Sequence, residues 1–131
     1  MKQITIVTES RRGLTADIAT LLADADINIE TLDAEDVDGA DVVTLSVDHY
    51  NRALAVLRDA GYSAVTEDAL LVRLKDEPGA LAKVAVKFKE ADIAVRSIRI
   101  IRRRNGLGIV AISTERTEAA KALVRDSLIT E

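Results

Sequence analysis

Short segments in which hydrophobic and polar residues alternate open each half of the chain. Alternation runs from Ile4 to Thr8 and again from Leu70 to Leu74, and a period of two residues is typical of a β-strand. Apolar residues then recur three or four positions apart, which predicts an amphipathic helix after each strand. These helical positions are Ile18, Leu21, Leu22 and Ala25 in the first half and Leu81, Val84, Phe88 and Ala91 in the second. Each half therefore begins with a strand and a helix.

The sequence repeats itself, with the segment 4–32 aligned to the segment 70–98. Gly13 of the stretch GLTADIA lies over Gly79 of the stretch GALAKVA, and 6 of 29 aligned positions are identical. Two-residue turn signals of the hairpin type recur as well, as Asp38-Gly39 and Asn105-Gly106. These two turns are 67 positions apart, whereas Gly13 and Gly79 are 66 positions apart. The second copy therefore carries one extra residue in the strand before this turn, and we expect that residue to form a β-bulge.

Copy 1 (1–66) and copy 2 (67–131) have the same order of predicted strands and helices. After the first helix, each copy has a strand, the two-residue turn, a return strand, a second helix and a last strand. The second strands cover 28–36 and 94–103, the second helices 52–60 and 116–125, and the last strands 63–66 and 128–130. The order βαββαβ predicts an α+β protein of two ferredoxin-like modules, each with helices on one face of an antiparallel sheet of strand order 4-1-3-2.

Composition narrows the chemistry that such a protein could carry. The 131 residues include no Cys, and this absence excludes a disulfide framework, a thiolate nucleophile and a Cys-ligated zinc site. His49 is the only histidine. We expect no metal, no cofactor and no catalytic residue. Aromatic residues make up 2% of the chain, which leaves almost no surface for stacking on nucleic acid bases. The apolar runs are too short for a membrane span and the N-terminus lacks a secretory signal, so we expect a cytoplasmic protein.

Charge is divided between the two copies. Copy 1 has 5 Lys/Arg and 12 Asp/Glu, a net charge of −7, and copy 2 has 13 and 10, a net charge of +3. The difference concentrates on the second strand and turn, which the order 4-1-3-2 places at a sheet edge. These residues are Asp33, Glu35, Asp36, Asp38 and Asp41 in copy 1 and Arg96, Arg99, Arg102, Arg103 and Arg104 in copy 2. We expect the acidic edge to pair with the basic edge, within or between chains, in a homodimer. A phosphate-binding arginine patch and a solvated hairpin are the alternatives.

The glycine turn of copy 2 belongs to a longer motif. It reads DEPGAL over 76–81 and is followed by ADIAV over 91–95. This arrangement resembles the opening of an ACT domain, whose recurrent pattern is a strand, a D-x-P-G-x-L loop, a helix and a G-I-N-I-like entry to the second strand. Copy 1 keeps the glycine in SRRGL over 10–14 and the asparagine in DINI over 26–29. The resemblance covers essentially the whole chain as two tandem modules, and Pro78 is expected in the first helical turn.

The resemblance implies small modules that sense an amino acid. In such modules the ligand lies between two modules and touches the loop of one and the second strand of its neighbour. The ligand-binding residues expected on this basis are Ser10, Arg11, Arg12, Gly13, Leu14, Asn28, Asp76, Glu77, Pro78, Gly79, Ala80, Leu81, Ala94 and Arg96, with Glu30, Thr31 and Ser97 beside them. A glycine before a helix N-terminus suits a carboxylate, which Arg11 and Arg12 would help to bind, whereas Asp76 and Glu77 would suit an ammonium group.

The function implied is a non-catalytic sensor whose modules change arrangement when an amino acid binds, and which signals to a metabolic enzyme or transporter. The first alternative is an interaction subunit that uses the same sheet edges and binds no ligand. A second is an acylphosphatase-like site built from Arg11, Arg12 and Asn28, although its loop is not rich in glycine. The Pro-Gly turn also has a purely structural interpretation, as ordinary punctuation before a helix.

Overall fold

The first βαββαβ unit is complete. A computed structural model describes residues 2–129 of the chain. The elements of the first half are β1 (Ile4–Glu9), α1 (Leu14–Asp24), β2 (Ile29–Val37), β3 (Ala40–Val47), α2 (Tyr50–Asp59) and β4 (Ser63–Val65). The four strands form one antiparallel sheet in the order β2-β3-β1-β4, which confirms the predicted order 4-1-3-2. Strand β2 therefore lies at an edge.

The second unit keeps this plan but has a smaller sheet. Its elements are β5 (Ala69–Lys75), α3 (Ala80–Glu90), β6 (Val95–Arg104), β7 (Leu107–Thr114), α4 (Thr117–Leu123) and a 3₁₀ turn (Arg125–Ser127). Among the described residues this sheet has three strands, in the order β5-β7-β6, so β6 is an edge strand. The last strand predicted at 128–130 is wrong for the described residues. Leu128 forms a single bridge with Val72, Ile129 donates its N–H to the Leu71 carbonyl at 2.8 Å, and Thr130 lies outside them.

The chain divides into unit 1 (Met1–Glu67) and unit 2 (Asp68–Glu131). This division falls one residue after the boundary drawn from the repeat, and the module bounds 1–66 and 67–131 stay a prediction. The α+β class with two ferredoxin-like modules is confirmed. No helix in the described part of the chain has both the length and the apolar character that a membrane crossing requires.

Each unit has its own aliphatic core between its sheet and its helices. In unit 1 the core joins Ile4, Ile6, Val43 and Leu45 of the sheet to Ile18, Leu22, Leu54 and Leu57 of the helices. In unit 2 it joins Leu70, Val72, Val110 and Ile112 to Val84, Phe88 and Ala120. The period of two in the strands and the period near 3.6 in the helices put these residues on facing surfaces.

The identical Ala-Asp-Ile segments of the two copies end the first helices. Asp26 and Asp92 have positive φ angles of 61° and 58°, and the N–H groups of Ile27 and Ile93 bond to the carbonyls of Leu22 and Phe88 at 2.9 Å. This is a Schellman cap, in which an apolar residue follows the left-handed residue. The isoleucines are buried, so the repeated segment both stops the helix and anchors its end.

The extra residue of copy 2 is a bulge, as predicted. The pairing of β6 with β7 shifts between Ile100 and Arg102, which leaves Ile101 as the inserted residue. Both units have a further irregularity near the start of the edge strand, at Glu30 in β2 and at Arg96 in β6. The sequence did not predict these two irregularities. Because both copies have one at the equivalent position, the number of residues that separates aligned positions of the two copies does not change there.

The helix boundaries differ slightly from those predicted. Pro78 was expected in the first turn of α3, but this helix begins at Ala80, so the proline lies in the turn before it. The cause is Gly79, whose left-handed φ of 88° separates Pro78 from the helical backbone. Helix α4 ends at Leu123 instead of near Arg125, because the backbone tightens into the 3₁₀ turn.

Candidate functional site

The loop Asp76–Gly79 joins β5 to the N-terminus of α3. The Asp76 N–H donates to the Gly106 carbonyl at 2.8 Å, which ties the loop to the β6–β7 turn. Among the described residues no side chain caps the helix N-terminus. The peptide N–H groups of its first turn and the positive end of the helix dipole therefore face the loop region.

A cavity of about 330 Å³ opens beside this loop, near the lower end of the 300–1,000 Å³ that is typical of ligand pockets. Its lining is mixed, with apolar side chains and charged ones. The apolar side chains are Leu74, Leu81, Ile100 and Val110, with Pro78 beside them, and the charged ones are Lys75, Asp76, Glu77 and Arg103. Gly108 completes the lining. We call Leu74, Leu81, Ile100 and Val110 the apolar floor.

An ion pair joins two sides of the cavity. Arg103 on β6 donates from Nε to Oδ1 of Asp76 at 3.2 Å. The Arg103 side chain is 60% exposed and the Asp76 side chain 40% exposed, so water screens the pair and it contributes little to folding stability. The site thus presents a positive and a negative group next to an apolar surface.

The residues predicted for copy 2 fall into two groups. Asp76, Glu77, Pro78 and Leu81 line the cavity, and Gly79 and Ala80 carry the loop into α3. Ala94 and Arg96 lie at the other end of the sheet, because Arg104 pairs with Leu107 beside the loop whereas Val95 pairs with Thr114. The partners of Val95 and Arg103 on β7, Thr114 and Gly108, are six residues apart, about 20 Å at 3.3 Å per residue. The cavity does not bring these two groups together.

Ile100 and Arg103 are cavity residues that the motif did not identify. Both lie near the end of β6, and the resemblance pointed to the start of that strand instead. The predicted strand order 4-1-3-2 does indicate their position, because it places the turn after the second strand next to the loop after the first strand. Arg103 was recognised only as part of the basic edge.

One of the two arginines in the unit 1 loop, Arg11, is bonded to side chains of its own unit. Arg11 donates to the Asp17 carboxylate on α1 and, from the other guanidinium nitrogen, to the Tyr62 hydroxyl at 3.0 Å. The hydrogen bond that Arg11 donates to the Asp17 carboxylate raises the pKa of Arg11 above its usual value. Leu14 is buried in the unit 1 core, whereas Ser10, Arg12 and Gly13 are exposed.

Asn28 has partners at the far end of unit 1. Its backbone N–H and its side-chain amide donate to the two carboxylate oxygens of Asp48, at 3.0 and 3.1 Å. Unit 2 repeats part of this arrangement, because the Ala94 N–H donates to the Glu115 carboxylate at 3.1 Å. The contact of an acidic residue with the entry to the edge strand is therefore a shared structural feature.

The residues of the acylphosphatase-like alternative do not come together in unit 1. Arg11 precedes α1 and Asn28 follows it, and this helix of 11 residues is about 16 Å long at 1.5 Å per residue. His49 is exposed and lies 3.9 Å from an Asp48 oxygen. Within residues 2–129, no three His, Asp or Glu side chains are arranged to hold a metal ion.

The fold and the loop can now be compared with known proteins. The sequence profile of the ACT domain pair matches residues 1–129. The chain belongs to the ACT domain pair family. This family consists of regulatory domains, in agreement with the resemblance found in the DEPGAL motif. A comparison with curated protein sequences gave no match.

Several solved structures have a similar arrangement of elements. A protein of Bacteroides thetaiotaomicron is 20% identical, with a TM-score of 0.49, and the match covers 98% of this chain and 90% of that one. The regulatory subunit of aspartate kinase from Thermus thermophilus is 19% identical, with a TM-score of 0.45 and coverage of 96% and 91%. The acetolactate synthase small subunit from Thermotoga maritima is 13% identical, with a TM-score of 0.42 and coverage of 98% and 89%.

Proposed function

We propose that this ACT domain pair is a non-catalytic sensor that binds an amino acid and signals to a metabolic enzyme or transporter. The observation that carries the proposal is the cavity at the DEPGAL loop, where an ion pair borders an apolar surface. A free amino acid has the same three parts: a carboxylate, an ammonium group and a side chain. Membership of a regulatory family supports the same function.

Each charged group of the amino acid would have a partner at the cavity. Arg103 would bind the carboxylate, because guanidinium groups bind carboxylates through paired hydrogen bonds. Asp76, with Glu77 beside it, would bind the ammonium group. The exposed Arg103–Asp76 pair can be replaced at small cost, since each partner would exchange one ionic contact for another.

The other predicted residues are proposed to act where two copies of the chain meet. Ala94, Arg96 and Asn28 lie at the opposite end of their sheets from the loops, so a ligand that touches both regions must contact a second module. We propose that this second module belongs to another chain. Of the unit 1 loop residues, Ser10, Arg12 and Gly13 are exposed and are proposed for the same contact between chains, whereas Leu14 is buried in the unit 1 core and Arg11 is bonded to Asp17 and Tyr62.

A homodimer is the assembly that we propose. The strands β2 and β6 are sheet edges, and the side chains of Asp33, Glu35, Arg96 and Arg99 on them are exposed. An edge strand has unpaired backbone groups that can continue a sheet. Opposite charges favour pairing of β2 in one chain with β6 in another, and like charges disfavour the two other pairings.

A thermal-shift screen of the twenty amino acids tests the proposed function. A ligand at 100 times its dissociation constant should add about 2.7 kcal/mol to the free energy of unfolding. The gain should disappear in Arg103→Gln, whereas Arg99→Gln should keep it, because Arg99 is on the same strand but outside the cavity. Equal gains in both variants would contradict a role for Arg103.

The ligand-free interaction subunit remains the second candidate, and the charged sheet edges favour it. Under this alternative no amino acid stabilises the chain, and the edge residues instead bind another protein. A screen without any shift, together with recovery of one specific enzyme that Arg96→Glu/Arg99→Glu no longer binds, would support it over the sensor.

A further inference from the structure

The cavity of unit 2 has a counterpart position in unit 1 with different chemistry. The pairing registers of the strands identify equivalent residues. Ile100 pairs with Val110 in unit 2 and Ala34 pairs with Val43 in unit 1, so Ala34 is the counterpart of Ile100. In the same way Leu74 faces Gly108, and Thr8 faces Asp41.

The apolar floor is specific to unit 2. The alignment that superposes the two helix-preceding glycines places Thr8 at the position of Leu74, Thr15 at that of Leu81 and Ala34 at that of Ile100. Of the four residues of the apolar floor, only Val110 has an identical counterpart in unit 1, which is Val43. Unit 1 therefore has two hydroxyls and a small methyl group where unit 2 offers three large aliphatic side chains.

The charged groups of the cavity also differ between the units. The counterpart of Arg103 is Asp36, whose carboxylate accepts the Gly39 N–H at 2.9 Å within its own turn. The counterpart of Glu77 is Arg11, which is bonded to Asp17 and Tyr62. Unit 1 thus places a carboxylate where the proposed site needs a cation, and its counterpart of Glu77, Arg11, is already bound within the unit.

Ile100 is the clearest sign that the floor of unit 2 serves a ligand. It is one of the large hydrophobic side chains that stay exposed, at 40%, and it faces the cavity instead of completing the unit 2 core. An aliphatic side chain on this floor would remove apolar surface from water, which is the main source of affinity for such a group. A charged side chain would lose its hydration there.

We propose that unit 2 alone forms the amino-acid site of each chain and that this site takes an α-amino acid with an aliphatic side chain. The inference rests on the proposed function and adds the ligand class and the number of sites. Arg103 and Asp76 would hold the α-carboxylate and α-ammonium groups, and Leu74, Leu81, Ile100 and Val110 would contact the side chain.

Isothermal titration calorimetry of the intact chain tests the ligand class and the stoichiometry together. L-Leucine, L-isoleucine and L-valine are compared with L-serine, L-aspartate and L-lysine. We expect one site per chain for an aliphatic ligand and at least tenfold weaker binding of the polar ones. Tighter binding of a polar amino acid, or two equal sites per chain, would overturn this inference and leave the proposed function intact. Failure of all six to bind, together with no shift for any of the twenty amino acids in the thermal-shift screen, would overturn both.

A pair of variants locates the side-chain contact. Ile100→Ala should weaken binding of the aliphatic ligand about tenfold, because fewer apolar groups leave water on binding. Val86→Ala is the matched control, since Val86 is also exposed, at 47%, and lies on α3 outside the cavity. Circular dichroism establishes that both variants fold. Equal affinity in the two variants would contradict the assignment of Ile100 to the floor.

Discussion

At the scale of single residues, the repeat preserves the positions with special backbone conformations. Gly13 and Gly79 precede the first helices with φ angles of 83° and 88°. Asp26 and Asp92 end these helices, also with positive φ. The sequence identity between the copies is thus concentrated where the chain must turn, whereas the side chains that would contact a ligand have diverged.

Replacing Gly79 with alanine tests this interpretation. A Cβ at Gly79 would meet nothing within 4 Å, so the cost comes from the left-handed backbone alone, about 1–2 kcal/mol of unfolding free energy. Gly108→Ala is the control, because its φ is not positive and its Cβ would be in ordinary contact, at 3.8 Å from the nearest atom. Urea unfolding measures both. A loss at Gly108 as large as that at Gly79 would contradict the conformational argument.

At the scale of elements, the sequence predicted most of the fold and only part of the site. The alternation and the turn dipeptides located the strands. The change in the offset between the copies predicted a bulge in the second strand of copy 2, and the pairing register places it at Ile101. The shortened last strand depends on the path of the chain after α4, which no local period encodes. Ile100 and Arg103 join the cavity through the pairing of β6, so they can be recognised only once the sheet is assembled.

Deletion of Ile101 tests the role of the bulge. The strand should then pair with β7 in the regular register that β2 and β3 have near their turn, and unit 2 should stay folded. Deletion of Arg99, which lies in a regular part of the ladder, should instead turn one part of β6 to the wrong face and unfold unit 2. Circular dichroism and urea unfolding distinguish the two variants. Similar losses in both would contradict the assignment of Ile101 as the inserted residue.

At the scale of the whole molecule, opposite charges lie on two equivalent sheet edges. The chain has a net charge of −4, but copy 1 carries −7 and copy 2 carries +3. Single exposed ion pairs contribute at most about 1 kcal/mol, so these charges would select the partner edge more than they would supply affinity. Charge complementarity should therefore decide which edges meet when two chains associate.

Charge reversal on one edge tests this selection. Arg96→Glu/Arg99→Glu should shift the sedimentation profile from dimer to monomer, because the two glutamates would repel the acidic edge and the net charge of the five basic-edge positions falls from +5 to +1. Lys87→Glu/Lys89→Glu is the control, with the same change of charge on exposed positions of α3. Adding Asp33→Arg/Glu35→Arg to the first variant should restore the dimer, since the edges are complementary again. An unchanged profile in the first variant would contradict the proposed pairing.

The central claim is that the loop and cavity of unit 2 bind an amino acid. The most direct measurement is a ¹H–¹⁵N NMR titration of the whole chain with L-leucine, followed residue by residue. We predict that the largest shift changes fall on 76–77, 79–81 and 100–103 and saturate at one ligand per chain. Amide signals of these residues that do not move at saturating concentrations of any amino acid would contradict it.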